Sequence, residues 1–131
     1  MLMSQIKIAI VEDDAAISNM YRIKFETEGF SVQTAENGLV GLEMIEKYGP
    51  DIVLLDVMMP EMNGDEMLEK LRNEDWGKDL PVIVLTNLGP QEAPASLKEH
   101  GVSAYIVKAE MTPKQVADFV KKKLDELGTS S

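Results

Sequence analysis

The stretch Asp51-Ile52-Val53-Leu54-Leu55-Asp56-Val57 constrains the fold of this chain more than any other. Ile52 to Leu55 is a continuous apolar run without polar alternation, bounded by an aspartate at each end, which is the pattern of a short strand buried on both faces. Such a strand belongs to a parallel sheet, whose crossover connections lay helices on each side of it. Asp56 is thereby delivered to a strand end. In open α/β sheets, ligands and chemistry gather at the carboxyl ends of the strands, so an acid placed there is a site candidate. Pro60 and Gly64 punctuate the loop that follows and leads into a helical pattern.

The rest of the chain repeats the strand-then-helix theme. Ile6 to Val11 is a β-branched strand that stops at Glu12-Asp13-Asp14. From Ala15 to Glu28, Ile17, Met20, Tyr21 and Phe25 recur at helical spacing, with Asp13 or Asp14 as N-cap and Gly29 as the stop. Phe30 to Ala35 alternates, as a strand near a sheet edge does, and Asn37-Gly38 is expected to turn it. A helix from Leu39 to Tyr48 ends at Gly49-Pro50, and another runs from Gly64 to Asn73 on Met67, Leu68 and Leu71. Pro81 to Leu85 is a second doubly buried strand and delivers Thr86 to its end. A short, weakly anchored helix is expected near Pro94, since Gly89 to His100 has little apolar periodicity. Ala104 to Val107 is a strand ending at Lys108, and Thr112-Pro113-Lys114-Gln115 is a capping box opening the last helix. Five βα units with short crossovers predict a flavodoxin-like, doubly wound α/β fold with a five-stranded parallel sheet of order 2-1-3-4-5 and helices on both faces.

Length and charge exclude several function classes. At 131 residues the chain has room for one core, expected over residues 5–127 with residues 1–4 and 128–131 as flexible ends and no output domain. No apolar run approaches the roughly 18 residues of a membrane span, no secretory signal opens the chain and cysteine is absent, so the expected location is cytoplasmic. A net charge of −10 repels phosphate backbones, which argues against direct nucleic-acid binding.

Parallel strands all point one way, so Glu12-Asp13-Asp14, Asp56, Thr86 and Lys108 must share one sheet edge. In the predicted order the first and third strands are neighbours. Their acids would repel one another unless a divalent cation offsets the charge. Oxygen-only ligands suit Mg²⁺, which keeps several waters and favours phosphate oxygens. Lys108 and Thr86 add a cation and a hydroxyl to the same centre.

With those residues in place the chain resembles the receiver domain of two-component response regulators, of the chemotaxis-regulator type. The resemblance rests on Val11-Glu12-Asp13-Asp14, on Asp56 followed by Met59-Pro60 and Gly64, on Leu85-Thr86, and on Tyr105 three residues before Lys108. It covers Lys7 to Leu127. It implies that Asp56 accepts a phosphoryl group, in a Mg²⁺-dependent reaction, from a sensor histidine kinase, a phosphotransfer protein or a small acyl phosphate. It further implies that Asp13, Asp56, Glu12 (directly or through water) and the backbone carbonyl of Met58 hold Mg²⁺. Lys108 is implied to pair with Asp56 and then with a phosphoryl oxygen, while Thr86 and Tyr105 form a switch that repacks a protein-binding face for a downstream partner. Such a domain promotes only its own phosphorylation and dephosphorylation and is otherwise no enzyme.

Two features depart from the family. Ala109 follows Lys108 where proline is usual, so that peptide is either cis at a cost of about 2.5–4 kcal/mol or takes a trans path that could shift Lys108. Asn87 replaces the small residue that normally follows the threonine. Met58 and Leu88, at the positions that tune phosphoryl lifetime in the family, are apolar and predict slow self-dephosphorylation. The chief rival is a phosphorylation-independent pseudo-receiver binding module of the same fold. A flavodoxin would need a phosphate-binding loop where this chain has acids, and an aspartyl-phosphate phosphatase a second aspartate where it has Met58. His100 reads as a helix-end residue, Lys121-Lys122-Lys123 as a solvated helix face, and the methionines as core or loop filling.

Overall fold

The computed structural model describes residues 5–57, 64–87 and 99–128. Along the chain they form β1 (Lys7–Val11), α1 (Ala15–Thr27), β2 (Ser31–Ala35), α2 (Gly38–Tyr48), β3 (Ile52–Leu55), α3 (Gly64–Arg72), β4 (Val82–Thr86), β5 (Ala104–Val107), a 3-10 turn (Lys108–Glu110) and α4 (Pro113–Glu126). The helix expected near Pro94, the Met58 carbonyl and Leu88 lie outside the described residues. The five strands pair in parallel in the order β2-β1-β3-β4-β5, the flavodoxin-like order that the sequence predicts, with the alternating β2 at an edge.

Side-chain alternation along the central strands divides the core into two layers. Ile8 and Ile10 of β1, Leu54 of β3 and Ile83 of β4 face Tyr21 and Phe25 of α1 and Val116, Val120 and Leu124 of α4. Ala9 and Val11, Val53 and Leu55, and Val82 and Val84 point the opposite way, onto Ile45 of α2 and Met67, Leu68 and Leu71 of α3. Because β1, β3 and β4 are buried on both faces, their apolar residues have no polar alternation to show. Phe25, fully buried and edge-on to Phe30 at 5.9 Å, anchors the first layer, and its truncation to alanine should cost about 3–5 kcal/mol.

Helix starts are set by side-chain caps. Asp14 is the N-cap of α1, its Oδ1 accepting from the amides of Ala16 (2.9 Å) and Ile17 (3.1 Å), which leaves Asp13 out of the cap. Thr112 and Gln115 form the capping box of α4. Two local expectations need correction. Asn37-Gly38 is a helix start and not a strand-reversing turn, because the Asn37 side chain accepts from the Val40 amide at 2.9 Å and Gly38 is already helical. Met20 is 42% exposed and not core, since the buried stripe of α1 runs through Ser18, Tyr21 and Phe25.

Candidate functional site

The register brings the acids together. Val11 pairs with Leu55 and Thr86 with Val107, so the next residues, Glu12, Asp56 and Lys108, leave the sheet at one edge. Two backbone hydrogen bonds carry the alignment past the strands: the Glu12 amide donates to the Ala35 carbonyl (2.9 Å) and the Asp56 amide to the Val11 carbonyl (3.0 Å). Carboxylate oxygens of Glu12, Asp13 and Asp56 lie within 4.8 Å of one another. Glu12 and Asp56 are only 5% and 6% exposed, whereas Asp13 faces solvent.

Lys108, at the start of the 3-10 turn, reaches across this group. Its Nζ donates to Asp56 Oδ2 at 3.2 Å and also to Glu12 Oε1, while the Asp14 amide donates to Glu12 Oε2 at 3.2 Å. The peptide before Ala109 is trans, as are all those of the described residues, and the lysine still reaches the aspartate. Of the two backbone paths left open by the missing proline, the chain takes the one without cis strain.

Burial pushes Glu12 up to about 7; Lys108 and the Asp14 amide hold it down in part, and the neighbouring Asp56 charge raises it further. Burial alone would lower Lys108, yet its ion pairs with Glu12 and Asp56 lift it above the ordinary lysine value, so it is a fixed cation at neutral pH. When all are ionised, three carboxylates face one ammonium and two negative charges stay uncompensated. A hard divalent cation with oxygen-only ligands fits that donor set and that charge, as Mg²⁺ does. A cleft of 290 Å³, lined by Glu12, Asp13, Ser18, Asn19, Thr34 and Glu36 among others, opens solvent access beside it.

Of the other residues singled out in the sequence, Thr86 ends β4 at the same edge and is 1% exposed. Tyr105 pairs in register with Val84, two residues short of Thr86, and packs half-buried against the α2–α3 core layer, so it lies behind the carboxylates and not among them. Gly64 has a role that its place in a punctuating loop did not reveal. Its amide donates to the Val57 carbonyl (3.1 Å), and an added Cβ would sit 2.5 Å from the Asp56 carbonyl oxygen and 2.6 Å from Val57 Cα. Only glycine lets α3 start this close to the Asp56 backbone. The direct contact of Glu12 with Lys108 leaves no sequence signal, because sequence order says nothing of which acid a long side chain will choose.

Residues 8–124 match the response regulator receiver domain family. The chain belongs to that family. Among structures it is similar to a CheY-like response regulator receiver domain protein from Methanospirillum hungatei, at 32% identity and TM-score 0.85 over 94% of this chain and 96% of that one. It is likewise similar to the chemotaxis protein CheY4 of Vibrio cholerae, at 26% identity and TM-score 0.85 over 92% of this chain and 100% of that one. The phosphate regulon transcriptional regulatory protein PhoB of Rhizobium meliloti is 35% identical over 111 residues, 85% of this chain and 49% of the relative. The DNA-binding dual master transcriptional regulator RpaA of Synechocystis is 33% identical over 102 residues, 78% and 42% respectively. The receiver chain thus spans less than half the length of these curated relatives. No helix among the described residues is long and apolar enough to cross a membrane.

Proposed function

We propose that this receiver is a phosphoacceptor that takes a phosphoryl group onto Asp56 from a phosphohistidine of a sensor kinase or phosphotransfer protein, or from a small acyl phosphate. The observation that carries the reading is the nearly buried Asp56 carboxylate, 3.2 Å from Lys108 Nζ and with oxygens of Glu12 and Asp13 within 4.8 Å. An Asp56 oxygen attacks phosphorus in line, and the P–N bond breaks as the P–O bond forms. The imidazole leaves with the bonding pair. Lys108 holds the carboxylate beforehand and a phosphoryl oxygen afterwards, and the Thr86 hydroxyl donates to another. Glu12, Asp13, Asp56 and the Met58 carbonyl would hold Mg²⁺, which would supply charge neutralisation for the dianionic group.

The chain does no other chemistry in this reading. Its phosphoryl group draws Thr86 inward, Tyr105 turns into the space vacated, and the altered face meets a downstream protein. The acidic surface, with a net charge of −10, favours a protein partner over nucleic acid, and the DNA binding named for one longer relative is not carried over to this segment. The receiver unit of this proposal runs over residues 5–127 and acts in the cytoplasm. The test is intact-mass spectrometry after incubation with acetyl phosphate, with and without Mg²⁺, on the wild type and Asp56→Asn. One added phosphoryl group, dependent on Mg²⁺ and absent from the variant, supports the proposal. No adduct despite intact Mg²⁺ binding makes the protein a phosphorylation-independent binding module.

A further inference from the structure

We propose that the groove between α2 and α3, at the amino ends of the strands and away from the carboxylates, docks a basic helix of a partner protein whose arginine stacks on Trp76. The groove encloses 340 Å³, with Leu42 and Trp76 as its apolar walls and Glu43, Glu46, Glu74 and Lys70 around them. Trp76 is the chain's single tryptophan and is 37% exposed, on a turn whose backbone is hydrogen-bonded. The amides of Glu74 and Gly77 donate back to Leu71 (3.1 Å) and Glu74 (3.0 Å) carbonyls, and Arg72 Nη1 grips the Gly77 carbonyl at 2.7 Å. A Cβ on Gly77 would lie 2.5 Å from the Leu71 carbonyl oxygen, so the turn is packed as tightly as glycine allows. A large aromatic carried on a hydrogen-bonded turn leaves little backbone entropy to lose on binding.

Charge selects the occupant. None of Glu43, Glu46 and Glu74 forms an ion pair among the described residues, and against Lys70 they leave the groove at −2. Carboxylates around an exposed indole are complementary to a guanidinium, which stacks on the ring and bonds the acids in the same plane. Leu42 beside Trp76 adds an apolar contact within the groove, so the fitting segment is amphipathic as well as basic. A second copy of this chain is disfavoured, because it would bring the same negative surface from a protein of net charge −10.

The test is calorimetric titration of the full chain with a synthetic Leu/Arg amphipathic helix of roughly four turns, and with the same peptide carrying glutamate for arginine. Saturable binding of the arginine peptide alone is expected. Trp76→Ala and the triple variant Glu43→Gln/Glu46→Gln/Glu74→Gln should each weaken it by at least about tenfold, with Trp76→Phe restoring part of the loss. A charge-matched triple on α4, Asp118→Asn/Asp125→Asn/Glu126→Gln, should change it little, and circular dichroism checks that each variant is folded. Equal weakening by both triples, no saturable binding, or a Trp76 emission shift on concentrating the protein alone would overturn the proposal. Binding to Asp56→Asn as to the wild type separates this surface from the phosphoacceptor reading.

Discussion

The two ends of the sheet satisfy charge in opposite ways. At the amino edge, Arg72 spends its guanidinium on four backbone carbonyls: His100, Gly77 and Leu80 at 2.7 Å and Gly101 at 3.1 Å. These acceptors are neutral and fixed by the chain, so the cation is satisfied and ties the end of α3 to the turns before β4 and β5. At the carboxyl edge, Glu12, Asp56 and Lys108 set charge against charge, and the acids outnumber the base. A half-buried cation bonded to four carbonyls holds the fold together. A buried excess of carboxylates costs stability, a cost that an exchangeable cation or a proton on Glu12 offsets.

The sharpest way to break that comparison is to remove each cation in turn. Arg72→Met leaves four carbonyls without their donor and should cost about 3 kcal/mol, read as a lower urea midpoint, with phosphoryl uptake from acetyl phosphate unchanged. Lys108→Met should cost less, about 1–2 kcal/mol, because Glu12 can take up a proton to relieve the uncompensated charge, yet it should abolish rapid uptake of the phosphoryl group. Equal losses of stability would mean that both edges are structural. The contrast would then fail.

How much of this could be read before the structure depends on what kind of signal each residue leaves. The runs Ile52–Leu55 and Val82–Leu85 announce doubly buried strands, and the acids and the lysine after such runs reach one edge through topology alone. That is why Glu12, Asp13, Asp56 and Lys108 were legible as a group. Asn37-Gly38 is ambiguous in sequence because the same pair serves as a turn or as a helix N-cap, and only the Val40 amide decides between them. Met20 shares the helical spacing but falls outside the buried stripe, which apolar periodicity alone does not reveal. Arg72 and Gly77 left no sequence signal, since their partners are backbone carbonyls brought near by tertiary folding.

The pH dependence of stability sharpens the carboxyl edge further. Glu12 titrates near 7 in the folded, metal-free protein against an ordinary value of 4.5, so between those values the folded state binds more protons than the unfolded one. Its contribution to stability is therefore fully present below about pH 4.5 and is lost as pH rises through 7, with a slope of at most about 1.4 kcal/mol per pH unit. Urea midpoints from pH 5 to 8 should show this decline in the wild type relative to Glu12→Gln. Parallel curves would remove Glu12 from the account. Bound Mg²⁺ competes with that proton, so its apparent affinity should rise with pH up to about 7 and then level off.

The smallest expected effect divides two adjacent acids. Asp14 caps α1 through the amides of Ala16 and Ile17, so Asp14→Ala should cost about 1 kcal/mol while Mg²⁺ affinity stays near that of the wild type. Asp13 takes no part in that cap and places an oxygen within 4.8 Å of those of Glu12 and Asp56. Asp13→Asn should therefore weaken Mg²⁺ binding about tenfold or more and leave the urea midpoint unchanged, or raise it slightly in metal-free buffer as one repelling charge is lost. Urea denaturation and Mg²⁺ titration on the same two variants give a crossed pattern if the exposed acid serves the ion and its neighbour serves the helix. If Asp14→Ala instead weakened Mg²⁺ binding as much as Asp13→Asn, the hydrogen bond from the Asp14 amide to Glu12 would be the route, because loss of the cap would free the loop that holds Glu12 Oε2 in place.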